Sequence, residues 1–296
     1  MKHLQGIIPA MITPITPEQD INEKALRQLT NRLIESGVQA LFVLGTNGEF
    51  FSLSTDERLK VASTVIDEAA GRIQVMIGAG ASGTREAVYL SRKSEELGAD
   101  CLSVITPYFN RVSQREVIDH YRHIADAVSI PIILYNIPAR TGINLDPATV
   151  RKLAEIPNIT GIKDSSGNFD NILAYIEQTR DMDFSVYAGT DSLILKTLTA
   201  GGQGAVAATA NVFPELVVSI YHFWQNGNLK AAQAAQERLE AIRRFSAGFS
   251  IPAVYKAAVE LLGIPAGPPV LPAEPLSSDE TARLKELLDS YDFNTL

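Results

Sequence analysis

PIILYNIPARTGINLDPATVRKLAEIPNITGIKD, residues 131–164, is the stretch that decides the fold. It opens on an apolar run, Pro131–Tyr135, too short for a helix and without strict alternation. Strands buried on both faces of a parallel sheet read this way. A polar, glycine-punctuated turn follows, then a helical pattern, then a second apolar run, Ile159–Ile162. This is one strand–helix–strand unit. Working outward, the same unit recurs along the chain. The strand-like runs are Gly6–Ile12, Ala40–Leu44, Gln74–Ile77, Cys101–Ile105, Pro131–Tyr135, Ile159–Ile162, Ser185–Ala188 and Gly204–Ala208. Between them lie helices with recognisable ends. Ser54-Thr55-Asp56-Glu57 and Ser113-Gln114-Arg115-Glu116 are capping boxes. Gly37, Gly71 and Gly98 follow helical runs and precede strands, where a left-handed cap is expected.

Eight strands alternating strictly with helices predict a (β/α)8 TIM barrel with a C-terminal helical extension. Residues 1–226 form the predicted catalytic barrel. Residues 227–296 form the extension, expected to hold three further helices, with Pro-rich punctuation from Pro265 to Pro275. The 296 residues and 46% hydrophobic content suffice for one large core. Net charge is −8 with Lys and Arg scattered, which disfavours nucleic acid or an anionic membrane as partner. A single cysteine, Cys101, has no internal partner, and no stretch approaches ~18 apolar residues. The segment Met1–Ile7 shows no long apolar h-region. The expectation is a cytoplasmic protein.

Chemistry in such barrels sits where the strands end. Strand two ends in Gly45-Thr46-Asn47-Gly48-Glu49, a small polar turn whose backbone N–H groups suit a carboxylate. Strand five ends in Tyr135-Asn136-Ile137-Pro138-Ala139-Arg140-Thr141-Gly142, strand six in Lys163-Asp164, and strand seven in Gly189-Thr190-Asp191. Thr46, Tyr135, Lys163 and Asp191 are therefore expected at one mouth. Burial disfavours a charged amine, and a neutral amine is a nucleophile toward carbonyls. An isolated strand-end lysine ordinarily snorkels to solvent, but Thr and Tyr hydroxyls on the same rim point to a Schiff-base site at Lys163. Tyr135 alone reads as a buried aromatic, Thr46 alone as a turn threonine and Arg140 alone as a surface arginine.

At these motifs the chain resembles the dihydrodipicolinate synthase / N-acetylneuraminate lyase family over nearly its whole length. The pieces are Gly45-Thr46-Asn47-Gly48-Glu49, Pro107-Tyr108-Phe109-Asn110, Tyr135-Asn136-Ile137-Pro138, Gly161-Ile162-Lys163-Asp164 and Thr209-Ala210-Asn211. The resemblance implies a lyase with no cofactor and no metal, in which Lys163 condenses with pyruvate. Thr46 and Asn47 hold the pyruvate carboxylate, the Val206 backbone lines the pocket, and Tyr135 shuttles protons with the Thr46 hydroxyl. Gly189 and Asp191 are further candidate substrate-binding residues. The resemblance also implies a homotetramer, a dimer of dimers.

Members divide by the aldehyde they use. Arg140 resembles the arginine that clamps aspartate semialdehyde in the synthases, which favours a 4-hydroxy-tetrahydrodipicolinate synthase-type reaction. Tyr108-Phe109 replaces the usual Tyr-Tyr, so a relay that crosses a subunit interface lacks a hydroxyl. Asn47 replaces a threonine, and Phe50-Phe51 and Lys163-Asp164-Ser165-Ser166 lean toward 2-keto-3-deoxy-sugar-acid aldolases and dehydratases, for which Asp191 and Ser192 would meet hydroxyls. Phe50, Phe51, Thr55 and Arg58 stand where lysine-inhibited synthases build a regulatory pocket. Two phenyl rings are expected to fill it, with little inhibition by free lysine.

Two rivals come from other classes. Gly78-Ala79-Gly80-Ala81-Ser82-Gly83 is a literal GxGxxG, but it lies in the third unit, and Asp100 is misplaced for a dinucleotide ribose. A tight turn is the expected reading, as for Gly201-Gly202-Gln203-Gly204. A non-catalytic 2-oxo acid binding protein is the second rival, against which Lys163, Tyr135 and Thr46 stand together. His3, His120, His123 and His222 show no ligand spacing. His120 and His123 share a helix face and are expected to be solvated.

Overall fold

Eight parallel strands form the sheet in the computed structural model, which describes residues 4–291: β1 (Gly6–Pro9), β2 (Ala40–Val43), β3 (Gln74–Gly78), β4 (Cys101–Ile105), β5 (Ile132–Asn136), β6 (Ile159–Asp164), β7 (Ser185–Ala188) and β8 (Gly204–Ala207). Each strand from β2 to β8 pairs with its sequence neighbour, and β1 pairs with β8. The seam between β1 and β2 is closed by Met11 N–H donating to Phe42 O at 2.9 Å and Gln39 N–H to Ile7 O at 3.0 Å. The result is a TIM barrel. All eight predicted strands are present, with ends shifted by at most a few residues.

Alternation along the strands divides the core in two. Ile8, Ala10, Phe42, Met76, Cys101, Ile133, Tyr187 and Val206 fill the barrel interior. Residues of the opposite parity, such as Ile7, Leu41, Ile77 and Leu134, pack with the surrounding helices. This is why the strands read as continuous apolar runs.

The helix ends are those the sequence signals. Ser54 and Ser113 each form a capping box, with Glu57 and Glu116, at the helices Thr55–Ala69 and Gln114–Ala125. Gly37, Gly71 and Gly98 hold positive φ. The first two GxGxxG glycines serve close approach, while Gly83 faces open space. A Cβ on Gly78 would overlap the Leu44 carbonyl, and one on Gly80 would crowd the Ile105 backbone. A Cβ on Gly204 would overlap the Gly6 backbone across the β1–β8 pair.

Two expectations need correction. The extension has four helices among the described residues, Leu229–Arg238, Glu240–Ser246, Ala253–Leu261 and Ser278–Asp289. The first two meet at Leu239, which keeps near-helical dihedrals, φ −73° and ψ −16°, so no glycine or proline marks the break. His120 is buried rather than solvated. Its Nδ1 is 2.9 Å from Thr84 Oγ1 and its Nε2 has no hydrogen-bond partner among the described residues. Burial, and to a lesser degree the charge of His123, pushes its pKa down to about 4. His123 is exposed as expected, while His3 lies outside the described residues. Phe50 is buried and Phe51 is about half exposed.

Leu239, Ile242, Val254, Ala258, Val259, Leu284 and Leu288 of the extension join the same buried cluster as the outer barrel face. No helix among the described residues is long and apolar enough to cross a membrane.

Candidate active site

Tyr135 and Lys163 are direct neighbours in the register of β5 and β6, so the spacing between them places their side chains side by side on the inner face. Lys163 is 3% exposed, and its Nζ lies 3.9 Å from the Tyr135 ring centroid and 4.8 Å from that of Phe42. The Phe42 and Tyr135 rings meet edge to face. The amine thus lies against two aromatic faces, those of Phe42 and Tyr135. The Tyr135 hydroxyl lies 2.9 Å from Thr46 Oγ1. Thr46, Tyr135 and Lys163 are brought together as the sequence indicates.

Thr46 is carried by a tightly folded loop. Leu44 at φ 60° turns the chain away from β2, and Gly48 N–H donates to Gly45 O at 3.0 Å. Gly45 presses on the Phe42 ring and Gly48 on the Leu44 backbone, so side chains at either position would push the loop outward. Thr13 Oγ1 donates to Gly48 O at 2.8 Å. Asn47 is buried, and its Oδ1 has no hydrogen-bond partner among the described residues.

Arg140 stands on the one-turn helix Pro138–Thr141, exposed. It lines a cavity of about 180 Å³ together with Thr46, Phe50, Phe51, Ile105, Tyr108 and Ile251. Arg140 therefore borders the same space as Thr46. Ile251 comes from the C-terminal extension, a contribution to the site that strand-end reasoning missed. Phe109 does not line this cavity. It is fully exposed and holds φ 75°.

The remaining sequence candidates have structural engagements. Asp191 is buried, and its Oδ2 accepts from Thr209 N–H at 2.7 Å and Thr209 Oγ1 at 2.6 Å, while Oδ1 accepts from Ala208 N–H at 3.2 Å. Asn211 bonds back to β1, with Nδ2 donating to Ala10 O at 2.8 Å. The Thr209-Ala210-Asn211 motif therefore stitches the ends of β7, β8 and β1. Gly189 N–H donates to Asp164 O at 2.7 Å, and a Cβ there would overlap Ser165 Oγ. Val206 is buried in the barrel interior opposite Ile8 of β1. Ser192 lines a separate outer cleft with Phe169 and Leu229.

Sequence reasoning also overlooked the support behind the pair. Asn136 and Asp164, the next residues along β5 and β6, point to the opposite face. Asn136 Nδ2 donates to Asp164 Oδ1 at 2.8 Å, and Ser166 Oγ donates to Asp164 Oδ2 at 2.6 Å. Burial raises the Asp164 pKa, partly offset by the bonds from Ser166 and Asn136. The signal was available: two strands that pair Tyr135 with Lys163 must also pair Asn136 with Asp164.

Comparison with known proteins identifies the family. The sequence profile of the dihydrodipicolinate synthetase family matches residues 3–291. A Methanopyrus kandleri protein named 4-hydroxy-tetrahydrodipicolinate synthase is 42% identical, over 96% of this chain and 94% of that one. A Halalkalibacterium halodurans protein named 4-hydroxy-tetrahydrodipicolinate synthase 1 is 40% identical, over 97% of both chains. Among solved structures, dihydrodipicolinate synthase DapA-2 of Bacillus anthracis is 31% identical, with a TM-score of 0.95 over 99% of this chain and 100% of that chain. YagE, a prophage protein of E. coli K12 solved in complex with pyruvate, is 35% identical, with a TM-score of 0.93 over 97% and 98%. On this evidence the chain belongs to the dihydrodipicolinate synthetase family.

Proposed function

We propose that this protein is a Schiff-base lyase that condenses pyruvate with aspartate semialdehyde, a 4-hydroxy-tetrahydrodipicolinate synthase. The observation that carries the reading is the buried Lys163 amine 3.9 Å from the Tyr135 ring, whose hydroxyl lies 2.9 Å from Thr46. The names of the full-length relatives support it.

In this mechanism the neutral Lys163 amine attacks the keto carbon of pyruvate. The Tyr135 phenol delivers the proton with which the carbinolamine oxygen leaves as water, and the protonated imine remains on Lys163. Thr46 and Asn47 hold the pyruvate carboxylate, and the Val206 backbone and Gly189 close the pocket around it. Loss of a C3 proton gives the enamine, whose C3 attacks the aldehyde carbon; the new alkoxide takes up a proton. The amino group of the aldehyde substrate then attacks the imine carbon, closing the ring and expelling Lys163 as the free amine. Arg140 clamps the carboxylate of the incoming aldehyde, a match of a planar cation to a planar anion. Asp191, occupied by Thr209, acts in this reading by fixing the β7–β8 rim.

Incubation with pyruvate and borohydride is expected to leave one reduced adduct, on Lys163. Adducts elsewhere, or none, would falsify the assignment. A second reading has its own support. Phe109 lacks a hydroxyl, and the bulky Phe50-Phe51 pair resembles that of 2-keto-3-deoxy-sugar-acid aldolases, which favours cleavage of such a sugar acid. Purified protein that ignores aspartate semialdehyde yet releases pyruvate from such an acid decides for this alternative.

Residues 1–226 serve as the catalytic barrel and 227–296 as an appended layer in this proposal. The protein acts in the cytoplasm as a homotetramer. The solvent-projecting Phe109 and the exposed Leu173 and Leu229 support assembly. Sedimentation at equilibrium measures the mass directly, and a monomer at micromolar concentration counts against it.

A further inference from the structure

We propose that Glu49 and Lys256 form a positioning device that sets pyruvate affinity from outside the barrel. The proposal rests on the reading of Thr46 and Asn47 as the seat of the pyruvate carboxylate. Glu49 closes the loop that carries them: its N–H donates to Thr46 O at 3.2 Å, and its backbone holds the left-handed φ of 55°. Its side chain turns away from the mouth. Glu49 Oε2 lies 2.6 Å from Lys256 Nζ, with the two side chains 2% and 1% exposed. Glu49 Oε1 accepts from Val270 N–H at 2.7 Å, and Lys256 Nζ donates to Pro268 O at 2.8 Å.

These four groups form one closed unit. It ties the loop after β2 to the helix Ala253–Leu261 and to the irregular segment that carries Pro268 and Val270. A buried pair is weak evidence for stability, because desolvation offsets the attraction. The Glu49 carboxylate is nevertheless engaged at both oxygens, Oε2 by the short ion pair and Oε1 by the Val270 N–H. Glu49 in αL is a conformation that a non-glycine residue holds only when its surroundings impose it. The pair supplies that imposition two residues from Asn47, whose buried Oδ1 has no hydrogen-bond partner among the described residues. The same extension delivers Ile251 to the cavity wall, so the loop and the wall are set by one body. Neither Glu49 nor Lys256 reaches the reacting atoms. Both act through the orientation of Thr46 and Asn47.

The test compares wild type with Glu49→Gln, Lys256→Met and the double variant Glu49→Gln/Lys256→Met. Borohydride trapping on Lys163 across pyruvate concentrations gives the half-saturating concentration, and thermal melting of the same samples reports folding. The expected result is a half-saturating pyruvate concentration raised about tenfold in each folded variant, with the trapped fraction at saturation unchanged. The double variant leaves no unpaired charge behind and decides the matter if either single variant fails to fold. Folded variants with lower melting temperatures but wild-type half-saturation would show a purely structural pair and overturn the proposal alone. Absence of any Lys163 adduct in wild type would overturn the underlying reading and this proposal with it.

Discussion

Tyr135 has two contacts that separate its roles: its ring face covers the Lys163 amine and its hydroxyl meets Thr46. Tyr135→Phe keeps the first and removes the second. Turnover is expected to fall by about 10²–10⁴-fold, the usual contribution of a positioned acid–base group, while pyruvate half-saturation changes little. Steady-state kinetics with pyruvate as the varied substrate tests this, and unchanged turnover would move the proton transfer to another group. Arg140 makes the complementary test. Arg140→Ala is expected to lower efficiency toward the aldehyde by roughly 10–150-fold, one lost charge-assisted bond of about 1.5–3 kcal/mol, with the Lys163 adduct still forming. Tyr135, Lys163 and Thr46 were legible in the sequence because each sits at a strand end, and strand ends converge in a barrel. Asp191 was equally legible as a position, yet its use was not, since its partner Thr209 lies on another strand end. Glu49 bonds Val270 across 221 residues of sequence, a contact that no local pattern encodes.

At the level of elements, the loops depend on glycines that let strands and turns touch. Gly78 ends β3 against the Leu44 carbonyl, and Leu44 begins the Thr46 loop in a left-handed turn. Gly78→Ala is therefore expected to destabilise the protein by about 1–3 kcal/mol, the usual range for overpacking, and also to weaken pyruvate trapping. Denaturant unfolding beside borohydride trapping measures both, and a variant that loses stability with unaltered trapping would separate the turn from the site. Strand positions were legible almost to the residue, because strands buried on both faces are apolar throughout and bounded by polar turns. The boundary at Leu239 was not, since a bend between two helices that keeps helical dihedrals leaves no compositional mark. The burial of His120 was missed for a related reason. A histidine on an amphipathic helix looks solvated until the neighbouring helix supplies Thr84.

For the whole molecule, His120 links stability to pH. Its folded pKa is about 4, against 6.5 for the unperturbed side chain. Between these values the unfolded chain binds more protons, so the free energy of unfolding rises with pH across that window. Its contribution is fully present above about pH 6.5 and is lost as the pH falls toward 4, by about 3 kcal/mol at most. His120→Asn is expected to flatten the acid limb of a urea-unfolding series between pH 7 and pH 4.5; an acid limb as steep as wild type would assign it to other groups. The position of Ile251 reaches further than stability. Lys163, Tyr135 and Thr46 are encoded in a different part of the gene from Ile251, which lines the cavity beside Thr46, so under the proposed function exchange of the C-terminal segment between relatives is a route by which aldehyde preference is inherited independently of the Schiff base. Such a recombinant must bring with it a lysine for Glu49, so the junction that permits new specificity also filters which donors are tolerated.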